Sequence, residues 1–161
     1  GLVNKRENGE ILDYFRSRVV FPFLGRYGRV IGFTGRDLSG SAKAKYLNTP
    51  ETMLFKKGTE FFGLYQARQE IVKFNKIILV EGQFDVISFA QNGVRNVICK
   101  SGSALDKVQV KKLRSLAENI TLVYDDDKAG IHAAISQIPV LLEKGLNVRC
   151  VMLPEGQDPD D

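Results

Sequence analysis

Four short, mostly apolar runs in the second half of the chain have the length and composition of buried strands. A continuous apolar run is typical of a strand covered on both faces, as in a parallel sheet. Segments with helical spacing alternate with these runs, so we predict right-handed βαβ units and an α/β fold with a parallel four-stranded sheet flanked by helices. Pro139 is expected to kink or interrupt the third of these helices. The predicted strands are 77–80, 97–100, 120–124 and 148–153, and the predicted helices are 84–91, 106–118 and 129–144.

The first part of the chain is rich in β-forming residues instead. Two apolar runs, 18–24 and 29–34, flank the segment 25–28 and predict a hairpin with a four-residue loop. Pro22 has no backbone N–H to donate, so we expect its strand to lie at a sheet edge or to open on a bulge.

A change of pattern near Asn75 predicts a boundary between two parts. Residues 45–52 look irregular, and residues 64–73 have the spacing of a helix that ends just before the first long apolar run. We therefore divide the chain into a smaller β-rich α+β subdomain, residues 1–75, and a larger α/β domain, residues 76–161.

Acidic residues follow three of the four predicted strands. In open α/β sheets the ligand site lies beyond the carboxyl ends of the strands, so these carboxylates are expected to meet at one edge. Crowded carboxylates repel one another unless a cation lies between them, and hard oxygen ligands suit Mg²⁺ or Mn²⁺. Taken singly, each acid is more often a helix cap or a solvated residue; their convergence is what predicts a metal site. The acids are Glu81 and Asp85, Asp125 and Asp127, and Asp158 and Asp160.

The charge distribution is compatible with a nucleic-acid enzyme. The net charge is +4, and residues 1–75 carry 13 Lys and Arg against 7 Asp and Glu, whereas residues 76–161 carry 10 against 12. A mixed solvated surface explains this distribution equally well. No apolar run approaches the roughly 20 residues of a membrane helix, so no membrane partner is expected. Cys99 and Cys150 lack metal-ligand spacing and are interpreted as buried, reduced thiols of a cytoplasmic protein.

Basic residues of the first part are candidates for binding phosphate groups. The segment 45–48 is the most suggestive, because it combines a cation, an aromatic ring for stacking and an amide donor. Singly, each basic residue is more typical of an ordinary surface charge. The candidate nucleotide- and DNA-binding residues are Arg36, Lys43, Lys45, Tyr46, Asn48, Lys56 and Lys57.

The acidic motifs resemble the TOPRIM domain, which bacterial primases, type IA and type II topoisomerases, some nucleases and recombination proteins share. The motifs are Glu81-Gly-x-x-Asp85 and Asp125-x-Asp127. The flanking sequence is similar to the RNA polymerase core of the DnaG-type bacterial replicative primases, from about Tyr14 to Asp160. The segments that carry this second resemblance are 29–36, 45–52, 55–58, 63–65 and 153–160.

The resemblance implies a TOPRIM (Rossmann-like) fold for residues 76–161 and assigns roles to the candidates. Two departures stand out: Asp126 occupies a position that is usually Gly, and Ser101-Gly102-Ser103 stands where Leu-Gly-Thr is common. The implied catalytic metal ligands are Glu81, Asp125 and Asp127, the supporting acids are Asp85, Asp158 and Asp160, and the basic residues that assist catalysis are Arg36 and Lys45.

The function that the resemblance implies is synthesis of short RNA primers on single-stranded DNA from NTPs, with Mg²⁺ or Mn²⁺. A helicase and a single-stranded DNA-binding protein would be partners through regions absent here, and zinc would belong to an absent N-terminal module. The chain is thus interpreted as a fragment of a catalytic core. Two alternatives remain open: a TOPRIM nuclease or topoisomerase, and a fragment that binds nucleic acid without activity.

Overall fold

The computed structural model describes residues 2–40, 43–100, 105–125 and 127–151. The chain divides into two compact units, Gly1–Lys57 and Gly58–Asp161. In the described part no helix is long and apolar enough to cross a membrane. The strands are β1 (Val3–Lys5), β2 (Ile11–Asp13), β3 (Arg18–Leu24), β4 (Val30–Asp37), β5 (Tyr46–Asn48), β6 (Phe61–Phe62), β7 (Lys76–Val80), β8 (Val97–Lys100), β9 (Asn119–Val123) and β10 (Asn147–Val151). The helices are α1 (Leu64–Phe74), α2 (Gln83–Gln91), α3 (Lys107–Arg114) and α4 (Lys128–Glu143).

The first unit is built around an antiparallel sheet in the order β3-β4-β5. The predicted hairpin is confirmed as the β3–β4 pair, and Pro22 lies in the edge strand β3, where its missing N–H leaves no partner unpaired. The prediction that residues 45–52 are irregular is wrong in part, because Tyr46–Asn48 pair with β4. The rings of Phe23 and Phe55 are both fully buried, with centroids 5.1 Å apart, and form the centre of this unit.

The second unit contains a five-stranded sheet in the order β10-β9-β7-β8-β6. The four long strands are parallel, as predicted. Strands β7, β8 and β9 are largely buried, as expected of strands covered on both faces, whereas the edge strand β10 is mostly exposed. The short strand β6 adds an antiparallel edge beside β8, which the sequence pattern did not predict. Helices α1 and α2 contact β8, and α4 contacts β10.

Capping residues set the ends of the helices. Asp106 caps α3, where its carboxylate accepts a hydrogen bond from the backbone N–H of Gln109 (2.7 Å). Asn92 and the left-handed Gly93 end α2. Helix α4 runs through Pro139 without interruption, so a kink is what stays predicted there; the neighbouring Ile138 and Leu141 pack into the core and hold the helix there.

One further expectation differs from the structure. Cys99 is buried, but Cys150 is exposed, because β10 lies at the edge of the sheet.

The two compact units divide between Lys57 and Gly58, since Phe61 of β6 and Ile71 of α1 are buried in the core of the second unit. The domain boundary that the sequence pattern places near Asn75 stays a prediction.

Candidate functional site

The acidic residues of the second unit lie at the carboxyl ends of the two central strands. Glu81 directly follows β7, and Asp125 comes two residues after β9. These strands are parallel neighbours, with Leu79 opposite Leu122, so both acids leave the sheet at the same edge. Tyr124 anchors the second of them, because its ring is buried and its hydroxyl donates a hydrogen bond to Oε1 of Gln137 in α4 (2.9 Å).

Glu81 and Asp125 approach each other over the first turn of α4, at Gly130. A Cβ atom on Gly130 would lie 2.8 Å from Oε1 of Glu81 and closer still to the carbonyl oxygen of Asp125. Only glycine therefore fits between the end of β9 and the carboxylate of Glu81. The space left by the missing side chain is occupied by the Glu81 carboxylate and by the backbone carbonyl of Asp125.

Asp127 is the N-cap of α4. Its Oδ1 accepts a hydrogen bond from the backbone N–H of Gly130 (2.6 Å), and its backbone is extended, as an N-cap requires. The carboxylate therefore lies at the positive end of the helix dipole and beside the pair formed by Glu81 and Asp125. Capping and metal binding are compatible roles here, since a carboxylate has a second oxygen.

Asp85 stabilises the turn that presents Glu81. It lies in the first turn of α2, is 8% exposed, and accepts a hydrogen bond from the backbone N–H of Gly82 through Oδ2 (2.8 Å). Gly82 has no side chain to complete a capping box, so Asp85 supplies the side-chain hydrogen bond of this turn, beside the backbone hydrogen bond from Val86 N–H to the Gly82 carbonyl. Its structural role explains why an acid is needed at this position, beside any role with a metal.

The charges of these acids act on one another. Partial burial of the carboxyl group raises the pKa of Glu81, and so do the negative charges of Asp125, Asp127 and Asp85. A hydrogen bond from the backbone of Asp125 acts in the opposite direction and lowers that pKa. The ionised form of Glu81 is therefore destabilised until a cation approaches, which is the property expected of a metal ligand.

The basic candidates of the first unit lie on or near β4 and β5. Arg36 and Tyr46 are directly opposite each other, and Nη1 of Arg36 donates to the Tyr46 hydroxyl (2.8 Å) with the guanidinium 5.3 Å from the ring centroid. Asn48 is on the same strand as Tyr46 and accepts a hydrogen bond from the Tyr14 hydroxyl at its carbonyl (3.2 Å). The exposed lysines around them are Lys43, Lys45, Lys56 and Lys57.

Two family models match the chain and between them span most of it. The model for the N-terminal domain of the DNA primase catalytic core matches residues 1–68, and the Toprim-like model matches residues 78–161. The chain belongs to the DNA primase catalytic-core family. The Toprim-like match covers more than half of the chain and contains Glu81, Asp125 and Asp127, which confirms the family resemblance seen in the sequence.

Curated primases align with nearly the whole chain. The DNA primase of Pseudomonas aeruginosa is 44% identical over 99% of the chain, and that of Aquifex aeolicus is 43% identical over 95%. The chain spans only 24% and 31% of the lengths of these two relatives. It therefore corresponds to a part of a primase.

Solved primase structures share its fold. The zinc-binding and RNA polymerase domains of the Aquifex aeolicus primase superpose with a TM-score of 0.92 at 42% identity, covering 99% of this chain and 40% of that one. A DnaG primase catalytic domain bound to single-stranded DNA gives 0.85 at 38% identity, covering 99% of this chain and 52% of that one. The TOPRIM fold predicted for the primase-type chain is thereby confirmed.

The acidic edge has the right chemistry for a divalent ion, but it is not already closed around one. Within the described ranges no three His, Cys, Asp or Glu side chains are arranged to hold a metal. Glu81 and Asp125 nevertheless converge over Gly130 and offer hard oxygen donors. The family suggests use of a divalent metal, and the donor chemistry of these residues suits one. Asp126, Asp158 and Asp160 lie outside the described residues, so their predicted or possible contributions stay predictions.

Lys100 is a residue of this edge that the sequence analysis missed. It is the last residue of β8, the neighbour of β7, which Glu81 directly follows, and it is 8% exposed. Burial lowers the pKa of Lys100, whereas the negative charge of Glu81 raises it. A lysine closing a predicted strand looks like an ordinary solvated residue, and only the strand order places it beside the acids.

Proposed function

We propose that the chain is part of the catalytic core of a primase and takes part in synthesis of RNA primers on single-stranded DNA from NTPs. The observation that carries the proposal is the convergence of Glu81 and Asp125 over Gly130, in a chain whose relatives are named DNA primase. Phosphoryl transfer asks a protein mainly for positioning and for neutralisation of charge. An edge of close carboxylates meets both needs when it holds a divalent ion.

The residues take distinct roles in this proposal. Glu81, Asp125 and Asp127 hold Mg²⁺ or Mn²⁺, and Asp85 keeps the turn before α2 in place. Bound divalent ions supply the charge that activates the primer 3′-hydroxyl and stabilises the departing pyrophosphate. Asp127 also keeps the first turn of α4 in register with the end of β9.

The proposal also assigns binding of phosphate groups and nucleic acid to the basic residues of the first unit. Arg36 and Lys45 offset phosphate charge, and Tyr46 and Asn48 offer a ring and an amide to the nucleic acid. Three further lysines bind the DNA backbone without reading its sequence, so their contribution falls as salt rises; they are Lys43, Lys56 and Lys57. One solved relative is a DnaG catalytic domain bound to single-stranded DNA, which supports a DNA template here.

The alternatives have weaker support. The relatives described above are named primases rather than topoisomerases or nucleases. A topoisomerase also needs an accessible tyrosine, and Tyr124, the one nearest the acids in sequence, is buried, hydrogen-bonded and has a raised pKa. Helicase and single-stranded DNA-binding partners, and a cytoplasmic location, stay predictions.

Labelled NTP incorporation on single-stranded DNA by the full-length parent protein tests the proposal. Glu81→Gln and Asp125→Asn each remove one charge with little change of shape, and we expect either to lower primer yield at least about 100-fold. Glu143→Gln and Asp13→Asn are the matched controls, because both residues are exposed and lie outside the acidic edge. Normal primer yield from Asp125→Asn would remove that residue from the catalytic set.

The same reactions distinguish the alternatives. Cleaved or covalently trapped DNA in place of primers would indicate a nuclease or a topoisomerase. Salt-dependent DNA binding by the piece 1–161, without nucleotide incorporation under conditions where the full-length protein is active, would indicate that this piece binds but does not catalyse.

A further inference from the structure

Lys100 and Glu81 occupy equivalent places at the ends of adjacent strands. Val80 of β7 is paired with Cys99 of β8, so the next residue of each strand is Glu81 or Lys100. Side chains alternate along strands, and residues one step beyond a register pair share a face of the sheet. Strand β8 lies between β7 and β6, where Lys100 is opposite Phe61, so the lysine is in the interior of the sheet.

The burial of Lys100 is unusual for its residue type. Lysine is almost never fully buried unless its charge is compensated. Lys100 and Asp85 are the two charged residues buried in the described part of the chain, and both lie at the acidic edge. Elsewhere in that part, the lysines that form ion pairs are more exposed; they are Lys73, Lys112 and Lys144.

An electrostatic interaction between the two residues affects the lysine. The negative charge of Glu81 acts on Lys100 and opposes the effect of burial on the lysine pKa. Lys100 is buried but Glu81 remains exposed to solvent, so salt screens the interaction between them more than it would screen a fully buried pair. The positive charge of Lys100 acts in turn on the carboxylate of Glu81, whether or not a metal ion is present.

We propose that Lys100 is an internal counter-charge of the acidic edge, which stabilises the carboxylates in the absence of a divalent ion and weakens the binding of that ion. The inference deepens the proposed function, because it concerns the same site. A fixed positive charge beside Glu81 repels a divalent cation, so the affinity for the ion is set below what the carboxylates alone would give. Weak binding suits an ion that arrives together with a nucleoside triphosphate and departs with pyrophosphate. Lys100 is thus a positioning and tuning residue, which does not itself touch the reacting atoms.

Binding of Mn²⁺ to the full-length protein, followed by the electron paramagnetic resonance signal of the free ion, tests this inference without any primer synthesis. Lys100→Met removes the charge and keeps the length of the side chain. We expect it to lower the Kd for Mn²⁺ about tenfold, the size of an ordinary coupling between two sites. Lys100→Arg keeps the charge and should bind Mn²⁺ within about twofold of the unaltered protein, by the same coupling argument. Lys73→Met is the matched control, because it removes one exposed positive charge at the end of α1 and should leave the Kd unchanged.

A second measurement, of thermal stability, needs no metal and tests the inference independently of Mn²⁺ binding. In EDTA, Glu81→Gln should raise the Tm more in the Lys100→Met background than in the unaltered protein, because the substitution then removes an uncompensated charge. An equal effect in both backgrounds, or an unchanged Kd for Mn²⁺ in a folded Lys100→Met protein, overturns the inference. Failure of the proposed metal site has a different signature: Mn²⁺ binding is then absent from the unaltered protein or is unaffected by Glu81→Gln.

Discussion

At the scale of single residues, the site depends on a close approach that one glycine permits. Gly130 is helical and has an ordinary backbone conformation. Glycine is therefore needed there because it has no side chain, and not because the backbone is left-handed. The carbonyl of Asp125 and the carboxylate of Glu81 both occupy that space. A helix N-terminus packed this tightly against a strand end holds the acids in place with little freedom.

Gly130→Ala is therefore expected to damage the site. The added methyl group must displace the end of β9 or the Glu81 side chain, and overpacking of this kind costs about 1–3 kcal/mol. We expect primer synthesis by the full-length protein to fall at least about tenfold, because an increase of about 1.4 kcal/mol in the activation free energy corresponds to that factor. Gly58→Ala is the matched control: among the residues that the structure describes, a Cβ there meets only Oδ2 of Asp106 at 3.5 Å, an ordinary contact. Equal activity of the two variants would contradict the close approach at Gly130.

At the scale of elements, Asn75 joins α1 and β7 to the start of β9. Its backbone is left-handed (φ 48°), and its Oδ1 accepts a hydrogen bond from the backbone N–H of Glu118 (2.8 Å). Its carbonyl accepts another from the side chain of Asn119 (2.9 Å). Asparagine tolerates the left-handed region better than other residues with a Cβ, so one residue ends the helix and links two strands.

Two substitutions separate the contributions of Asn75. Asn75→Gly loses both side-chain hydrogen bonds to Glu118 but adopts the left-handed backbone easily, and it should cost about 1 kcal/mol of unfolding free energy. Asn75→Ala loses the same two hydrogen bonds and is strained as well, and it should cost about 2–3 kcal/mol. Urea unfolding of both variants measures the difference. If alanine proves as stable as glycine, the backbone conformation at Asn75 contributes nothing and the lost hydrogen bonds explain the whole loss.

The sequence predicted long elements better than short ones. Apolar runs of four or five residues located β7 and β9 because continuous burial leaves a clear pattern. Strand β6 has two residues and β5 has three, too few for a period to appear, and both exist because a longer strand lies beside them. Tertiary packing likewise carries α4 through Pro139, where the local preference is against a helix.

The same contrast applies to the candidate site. Glu81 and Asp125 were predictable because acids at strand ends in a parallel sheet meet at one edge. Lys100 was not, because its environment depends on strand order: β8 is beside β7, between it and β6. The need for Gly130 was equally invisible, since a glycine in a helix has no sequence signal that reports what packs against it.

At the scale of the whole molecule, the position of the boundary between the two units has a physical cause. The core of the second unit includes Phe61, Ala67 and Ile71, all nearly or fully buried, together with side chains of the parallel strands. Strand β6 also covers the edge of β8, which is otherwise an open row of backbone donors and acceptors. The residues between Gly58 and Asn75 are therefore part of the α/β unit in packing terms, although the sequence pattern places them before it.

Two fragments with the same C-terminus distinguish a boundary at Lys57 and Gly58 from one near Asn75. Residues 58–161 should fold alone with a cooperative thermal transition, because that segment contains the complete core cluster. Residues 76–161 lack the buried side chains of Phe61, Ala67 and Ile71. The loss of a large apolar group such as Phe61 or Ile71 costs about 2–5 kcal/mol against a typical total stability of about 5–15 kcal/mol. We expect the shorter fragment to bind a hydrophobic dye and to unfold without a cooperative transition in circular dichroism. A cooperative transition at the same midpoint in both fragments would instead place the boundary near Asn75, and β6 and α1 would then be additions to a sheet that is stable without them.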